Sequence, residues 1–170
     1  NLMSVPTDCD QRDERLGWMG DMALSSDSIC LNFDCGAFAK SFIRAMDDEM
    51  GSDGSLPDVV PFVRFGNRPG DVSWSDAFIQ TSYVLFKETG DLEMAKTYFT
   101  DFTRQIGNVV AQAKAGLDHM HTPYGDWCPP PAVAGGGQGP KPSAPYTSAV
   151  SYIHMVQQTA ELAGAIGNTS

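Results

Sequence analysis

Glu14 stands in a stretch, Ser4 to Asp21, that also holds Asp8, Asp10, Asp13 and Asp21, the arginines Arg12 and Arg15, and Trp18, with no apolar run to carry them into a core. These residue types suit the cleavage of a glycosidic bond. That chemistry needs a carboxylic acid that keeps its proton near neutral pH and a second carboxylate that handles water or the anomeric carbon. Neighbouring carboxylates raise one another's pKa, so a glutamate among aspartates is a natural proton donor. Arginine and the remaining aspartates can hold sugar hydroxyls through charge-assisted hydrogen bonds, while an indole offers a flat apolar surface to the C–H face of a sugar. The alternative reading of the same residues is a solvated acidic loop whose aspartates cap helices.

The ordered string Cys9-Asp10-Gln11-Arg12-Asp13-Glu14-Arg15-Leu16-Gly17-Trp18-Met19-Gly20-Asp21 closely resembles the signature of the bacterial and fungal α-L-rhamnosidases, inverting glycoside hydrolases whose catalytic domain is an α/α toroid. Asp10 stands where that family commonly has proline, with the flanking pattern intact. Two later segments fit the same resemblance in the family's order, Gly70-Asp71-Val72-Ser73-Trp74-Ser75-Asp76-Ala77 and Tyr124-Gly125-Asp126-Trp127. The resemblance implies an all-α chain that forms part of an (α/α)6 toroid, with residues 1–170 as a single partial catalytic domain, its N-terminal portion. It also implies removal of terminal α-L-rhamnose from a rhamnose-containing glycoside or oligosaccharide, with Glu14 as general acid. Asp8, Arg12 and Asp21 match positions that hold the rhamnose hydroxyls, and Asp13 is placed with them. Trp18, Trp74 and Trp127, the three tryptophans of the chain, would line the sugar pocket, with Asp76 and Asp126 contacting the sugar or supporting those that do. The family's general base is a glutamate far downstream; nothing after Asp126 resembles it, so the base is expected outside this chain.

Size and composition bound the rest. At 170 residues and 42% hydrophobic, the chain can build one globular domain or part of a larger one. A formal net charge of −10, with eleven Lys and Arg scattered along the chain, argues against nucleic acid or an anionic membrane as partner. No stretch approaches the length of a membrane span and the N-terminus lacks a signal-peptide pattern, so the chain reads as soluble with its compartment open. Cys9, Cys30, Cys35 and Cys128 have no Cys-x-x-Cys spacing and read as reduced, partly buried thiols. His119 and His121 form a His-x-His pair whose only nearby candidate co-ligands are Asp118 and Asp126, so neither a metal nor another cofactor is expected. No Gly-x-Ser-x-Gly nucleophile motif is present. The Pro- and Gly-rich stretch Pro129 to Pro140 lacks the Gly-Lys-Ser/Thr ending of a phosphate loop and reads as a surface loop or a lid.

These residues need elements to position them. Apolar i, i+4 pairs predict helices from about Ser28 to Met50, Asp76 to Glu88, Leu92 to Ala115 and Thr147 to Ala165. Thr89-Gly90-Asp91 predicts a tight helical hairpin, with a left-handed glycine ending one helix and an aspartate capping the next. The motif tryptophans and aspartates fall in or beside the long connections Gly51 to Ser75 and Gly116 to Tyr146, which predicts site-bearing loops on one rim and short turns on the other. An incomplete ring would expose apolar helix faces, so self-association or contact with the remainder of the domain is expected. Two readings compete with the hydrolase: a non-catalytic carbohydrate-binding helical module and another α/α-toroid glycosidase. A polysaccharide lyase would need a Tyr, His or Lys base and basic residues for uronates, which the acidic motif disfavours.

Overall fold

The computed structural model describes residues 14–63, 65–114, 116, 119–127, 129 and 142–168; Asp8, Arg12 and Asp13, and all of the Pro129–Pro140 stretch except Pro129, lie outside them. The helices are α1 (Met19–Asn32), α2 (Gly36–Asp48), the single turn α3 (Val72–Ser75), α4 (Ala77–Thr89), α5 (Glu93–Lys114) and α6 (Ala144–Ile166). Among the described residues the only pairing of strand type is an isolated antiparallel bridge between Trp18 and Val59.

Helix α4 is the hub, packing against α1, α2, α5 and α6. Its residues Ala77, Phe78, Ile79 and Leu85 are buried and meet Phe42, Ile43 and Met46 of α2, Met22 of α1, Phe102 of α5 and Met155 of α6 in one continuous core. Phe78 and Phe102 pack edge-on, with ring centroids 4.8 Å apart. Burial of a side chain of this size contributes about 1.5–3 kcal/mol.

The helix ends follow local chemistry. Gly90 adopts φ 74° and ends α4, and the Asp91 carboxylate accepts the Glu93 N–H at 2.8 Å to open α5, as the Thr89-Gly90-Asp91 pattern predicts. Asp76 lies at the other end of α4, about 20 Å from that turn at the helical rise. Helix α6 begins at Ala144 rather than near Thr147, with Pro145 in its first turn, where the missing N–H has no intrahelical partner to lose.

Two expectations are corrected. The helix expected from Ser28 to Met50 is two helices, because Phe33 takes extended backbone angles (φ −137°, ψ 153°) and stops α1. The apolar spacing ran on across the break because Ile29 and Phe42 face the same core from different helices. Cys30 and Cys35, expected as thiols, form a disulfide across that break, with Cα atoms 5.4 Å apart. The break between the helices brings together two cysteines whose spacing matched no motif.

Helix α1 is only partly covered. Leu24 is 89% exposed, Leu31 70% and Phe33 60%, and α6 similarly presents Ile153 at 53%. No described helix is long and apolar enough to cross a membrane.

Candidate active site

An open cleft of about 1290 Å³ runs between α1 and α6, with α3, the first turn of α4 and the 125–127 loop forming further parts of its walls. Five of the predicted site residues line it: Asp21 from α1, Trp74 from α3, Asp76 between α3 and α4, and Asp126 and Trp127 from the loop before α6. Leu24, Ile29, Phe33 and Val150 make part of the lining apolar, while Gln80, Ser151 and His154 add polar groups. Such a mixed surface suits a ligand with both C–H faces and hydroxyls.

Glycines allow the close approaches. A Cβ on Gly20 would lie 2.7 Å from Trp74 Nε1, so the indole rests directly on the α1 backbone. Gly125 has φ 63°, and a Cβ there would come within 2.8 Å of the Ala144 Cβ, so the loop carrying Asp126 and Trp127 abuts the start of α6.

Glu14 is exposed, and its Oε2 accepts the Trp18 indole N–H at 2.8 Å. Trp18 in turn meets the edge of Tyr124, with ring centroids 6.2 Å apart. Tyr124 also contacts Trp74 at 4.8 Å and Trp127 at 5.4 Å. The predicted acid, the three tryptophans and the cleft therefore form one connected region, although they come from three separate stretches of sequence.

The loops that carry these rings are held by two buried carboxylates. Asp58 Oδ2 accepts from the Asn67 N–H at 2.6 Å, Asn67 Nδ2 at 2.7 Å and the Tyr124 hydroxyl at 2.9 Å, while its Oδ1 accepts the Asp71 N–H at 2.6 Å. Asp71 Oδ1 accepts from the Ser73 N–H at 2.9 Å and hydroxyl at 2.6 Å, and its Oδ2 accepts the Tyr124 N–H at 2.9 Å. Both aspartates are at 0% exposure. A buried carboxylate is costly unless its oxygens are hydrogen-bonded, and all four oxygens here are. The loops are further tied by the Val72 N–H to the His121 carbonyl at 3.1 Å and by the Met19 N–H to the Asp58 carbonyl at 2.9 Å.

Asp76 is the exception. Its Oδ1 is out of solvent contact and without a hydrogen-bond partner among the described residues. Burial pushes its carboxyl up to about 7; the Ser151 hydroxyl pulls the other way, and the negative charge of Asp71 adds to the rise. A cleft-lining carboxylic acid can therefore carry its proton near neutral pH. Burial, followed by the hydrogen bond to Asp58, also pushes the Tyr124 phenol well above its usual range, so its hydroxyl stays a donor.

Asp58, Asn67, Asp71 and Tyr124 were not among the residues expected to act individually. Asp71 and Tyr124 lie inside the quoted motifs, and the Asp71-x-Ser73 spacing is a readable helix-cap signal. Asp58 and Asn67 carry no local signal, because their role depends on a contact made 57 or more residues away in sequence.

Comparison with known proteins adds an independent line. The model of the bacterial α-L-rhamnosidase six-hairpin glycosidase domain matches residues 1–170. An α-L-rhamnosidase of Alteromonas sp. is 33% identical over 138 residues, covering 81% of this chain and 15% of that protein. One from Formosa agariphila is 26% identical over 167 residues, covering 98% of this chain and 18% of that protein. Among solved structures, α-L-rhamnosidase from Dictyoglumus thermophilum superposes with a TM-score of 0.86 at 33% identity, covering 99% of this chain and 18% of that one. The Streptomyces avermitilis α-L-rhamnosidase complexed with L-rhamnose gives 0.82 at 25% identity, over 97% and 15%. The chain thus spans less than a fifth of the length of each of these relatives.

Proposed function

The chain belongs to the bacterial α-L-rhamnosidase six-hairpin glycosidase family, and from that premise we propose that it supplies the acid-bearing part of a hydrolase that removes terminal α-L-rhamnose by an inverting mechanism. The observation that carries this reading is the convergence on one cleft of Asp21, Trp74, Asp76, Asp126 and Trp127, drawn from segments far apart in sequence.

In this reading Glu14 protonates the glycosidic oxygen as the bond to the anomeric carbon breaks, and a carboxylate from outside these residues activates water on the opposite face. The two carboxyl groups of an inverting pair stand roughly 6.5–9.5 Å apart to admit that water. The Trp18 N–H orients the Glu14 carboxylate through its 2.8 Å hydrogen bond. Trp74 and Trp127 offer flat apolar walls to the C–H face and the C6 methyl of a 6-deoxy sugar. Asp21 and Asp126 accept from ring hydroxyls, with Asp8, Arg12 and Asp13 joining them, and Asp76 in its neutral form can donate as well as accept.

The test is a fluorescence titration of the chain with L-rhamnose against D-glucose, together with release from aryl α-L-rhamnosides by the chain and its Glu14→Gln variant. Binding of L-rhamnose that is at least about tenfold tighter than that of D-glucose, a gap of about 1.4 kcal/mol, and lost in Trp74→Ala, supports the reading. So does rhamnoside cleavage abolished by Glu14→Gln. Equal response to both sugars, or cleavage that survives Glu14→Gln, would overturn it.

A further inference from the structure

Tyr124 is absent from the cleft wall yet touches all three tryptophans, with centroid distances of 4.8 Å to Trp74, 5.4 Å to Trp127 and 6.2 Å to Trp18. Those tryptophans belong to separate pieces of backbone: the entry to α1, the α3 turn and the loop before α6. Aromatic packing alone tolerates several tilts of one ring against another, because offset and edge-on arrangements differ little in energy. Hydrogen bonds do not share that tolerance.

The Tyr124 hydroxyl is fixed from two sides, donating to Asp58 Oδ2 at 2.9 Å and accepting from Asn67 Nδ2 at 2.9 Å. Its backbone N–H is fixed from a third direction by Asp71 Oδ2. Asp58 is itself locked by the Asn67 and Asp71 N–H groups, so the anchor cannot drift. Both ends of the tyrosine are therefore pinned to buried carboxylates, and its ring stands among the indoles as a fixed template. We propose that Tyr124 is a positioning residue that sets the mutual orientation of Trp18, Trp74 and Trp127 through its hydroxyl tether to Asp58 and Asn67, and thereby the sugar affinity of the cleft. The affinity part rests on the function proposed above; the orientation part does not.

The chain's three tryptophans are the three in question, so tryptophan near-ultraviolet circular dichroism reports on this cluster directly. Tyr124→Phe keeps the ring and removes the hydroxyl, while Asn67→Ala keeps the tyrosine and removes one of the two groups that hold it. Each variant is compared with the parent chain where far-ultraviolet dichroism shows full helix content. Tyr124→Phe is expected to lose tryptophan fine structure and to raise the Kd for L-rhamnose about tenfold, with a smaller rise of about threefold for Asn67→Ala. A lower melting temperature with unchanged tryptophan dichroism and unchanged Kd would show that the hydroxyl serves stability alone and would overturn the proposal. If the parent chain binds no rhamnose, the proposed function fails, and the dichroism comparison still decides the orientation claim. Should Tyr124→Phe fail to fold, Asn67→Ala carries the same readings.

Discussion

The α2, α4 and α5 side of the molecule and the loop side around the cleft are held together by different physics. On the first, Phe42, Ile43, Met46, Phe78, Leu85 and Phe102 exclude water from a continuous apolar interior. That attraction is strong and nearly directionless, so it fixes which helices meet more firmly than the angle of any one side chain. On the second, Asp58 and Asp71 accept seven hydrogen bonds from Asn67, Asp71, Ser73 and Tyr124. Directional bonds around a buried charge set angles, which is what a site made of flat rings requires. Stability and precision of the site are thus housed in different halves.

That division can be broken most severely at Phe102. Phe102→Ala removes a fully buried ring and is expected to cost about 4 kcal/mol in urea unfolding. The surviving folded molecules should keep the tryptophan dichroism of the parent; a changed tryptophan spectrum would show that the two halves are not separable. Gly20→Ala tests the other half. Its new methyl meets the rigid Trp74 indole, a clash worth about 2–3 kcal/mol, against about 1 kcal/mol gained from helix propensity. The expected net loss is about 1–2 kcal/mol, with a displaced Trp74 visible as a shift in tryptophan emission. A net gain in stability would mean that the indole has room to move.

The smallest expected effect is at Asp76. Its folded-state pKa stands above the usual carboxylate value, so from about pH 4 to about pH 7 the folded chain binds the extra proton. Stability therefore falls as pH rises through that window and stays lower above it. Asp76→Asn should match the parent near pH 4 and be more stable above pH 7, by about 1 kcal/mol. Denaturation curves at the two pH values check this. Equal stability of the variant and the parent above pH 7 would place the Asp76 charge in solvent.

Much of this arrangement is legible in the sequence. The hairpin turn at Thr89-Gly90-Asp91 carries its whole cause in three residues, and α4 and α5 end within a residue or two of where apolar spacing places them. The motif residues Asp21, Trp74, Asp76, Asp126 and Trp127 share a cleft, whereas Glu14 and Trp18 lie beside it and not in its lining. What escaped was non-local. The break at Phe33 was hidden because the apolar pattern continues on both sides of it, and the Cys30–Cys35 bond spans that break. Asp58 looks like any loop aspartate until Tyr124 is folded against it.

The Cys30–Cys35 bond is also a clasp at the far end of the cleft's α1 wall. It closes a loop of a few residues, a constraint worth about 2 kcal/mol by chain entropy. Helix α1 carries Asp21 toward the cleft, and at its far end Ile29 is buried in the core while Leu31 and Phe33 lie largely in water. The redox poise of the surroundings thus becomes a mechanical setting: in an oxidising medium the end of α1 is tied to the start of α2, and in a reducing one that tie is gone and its last turn can fray.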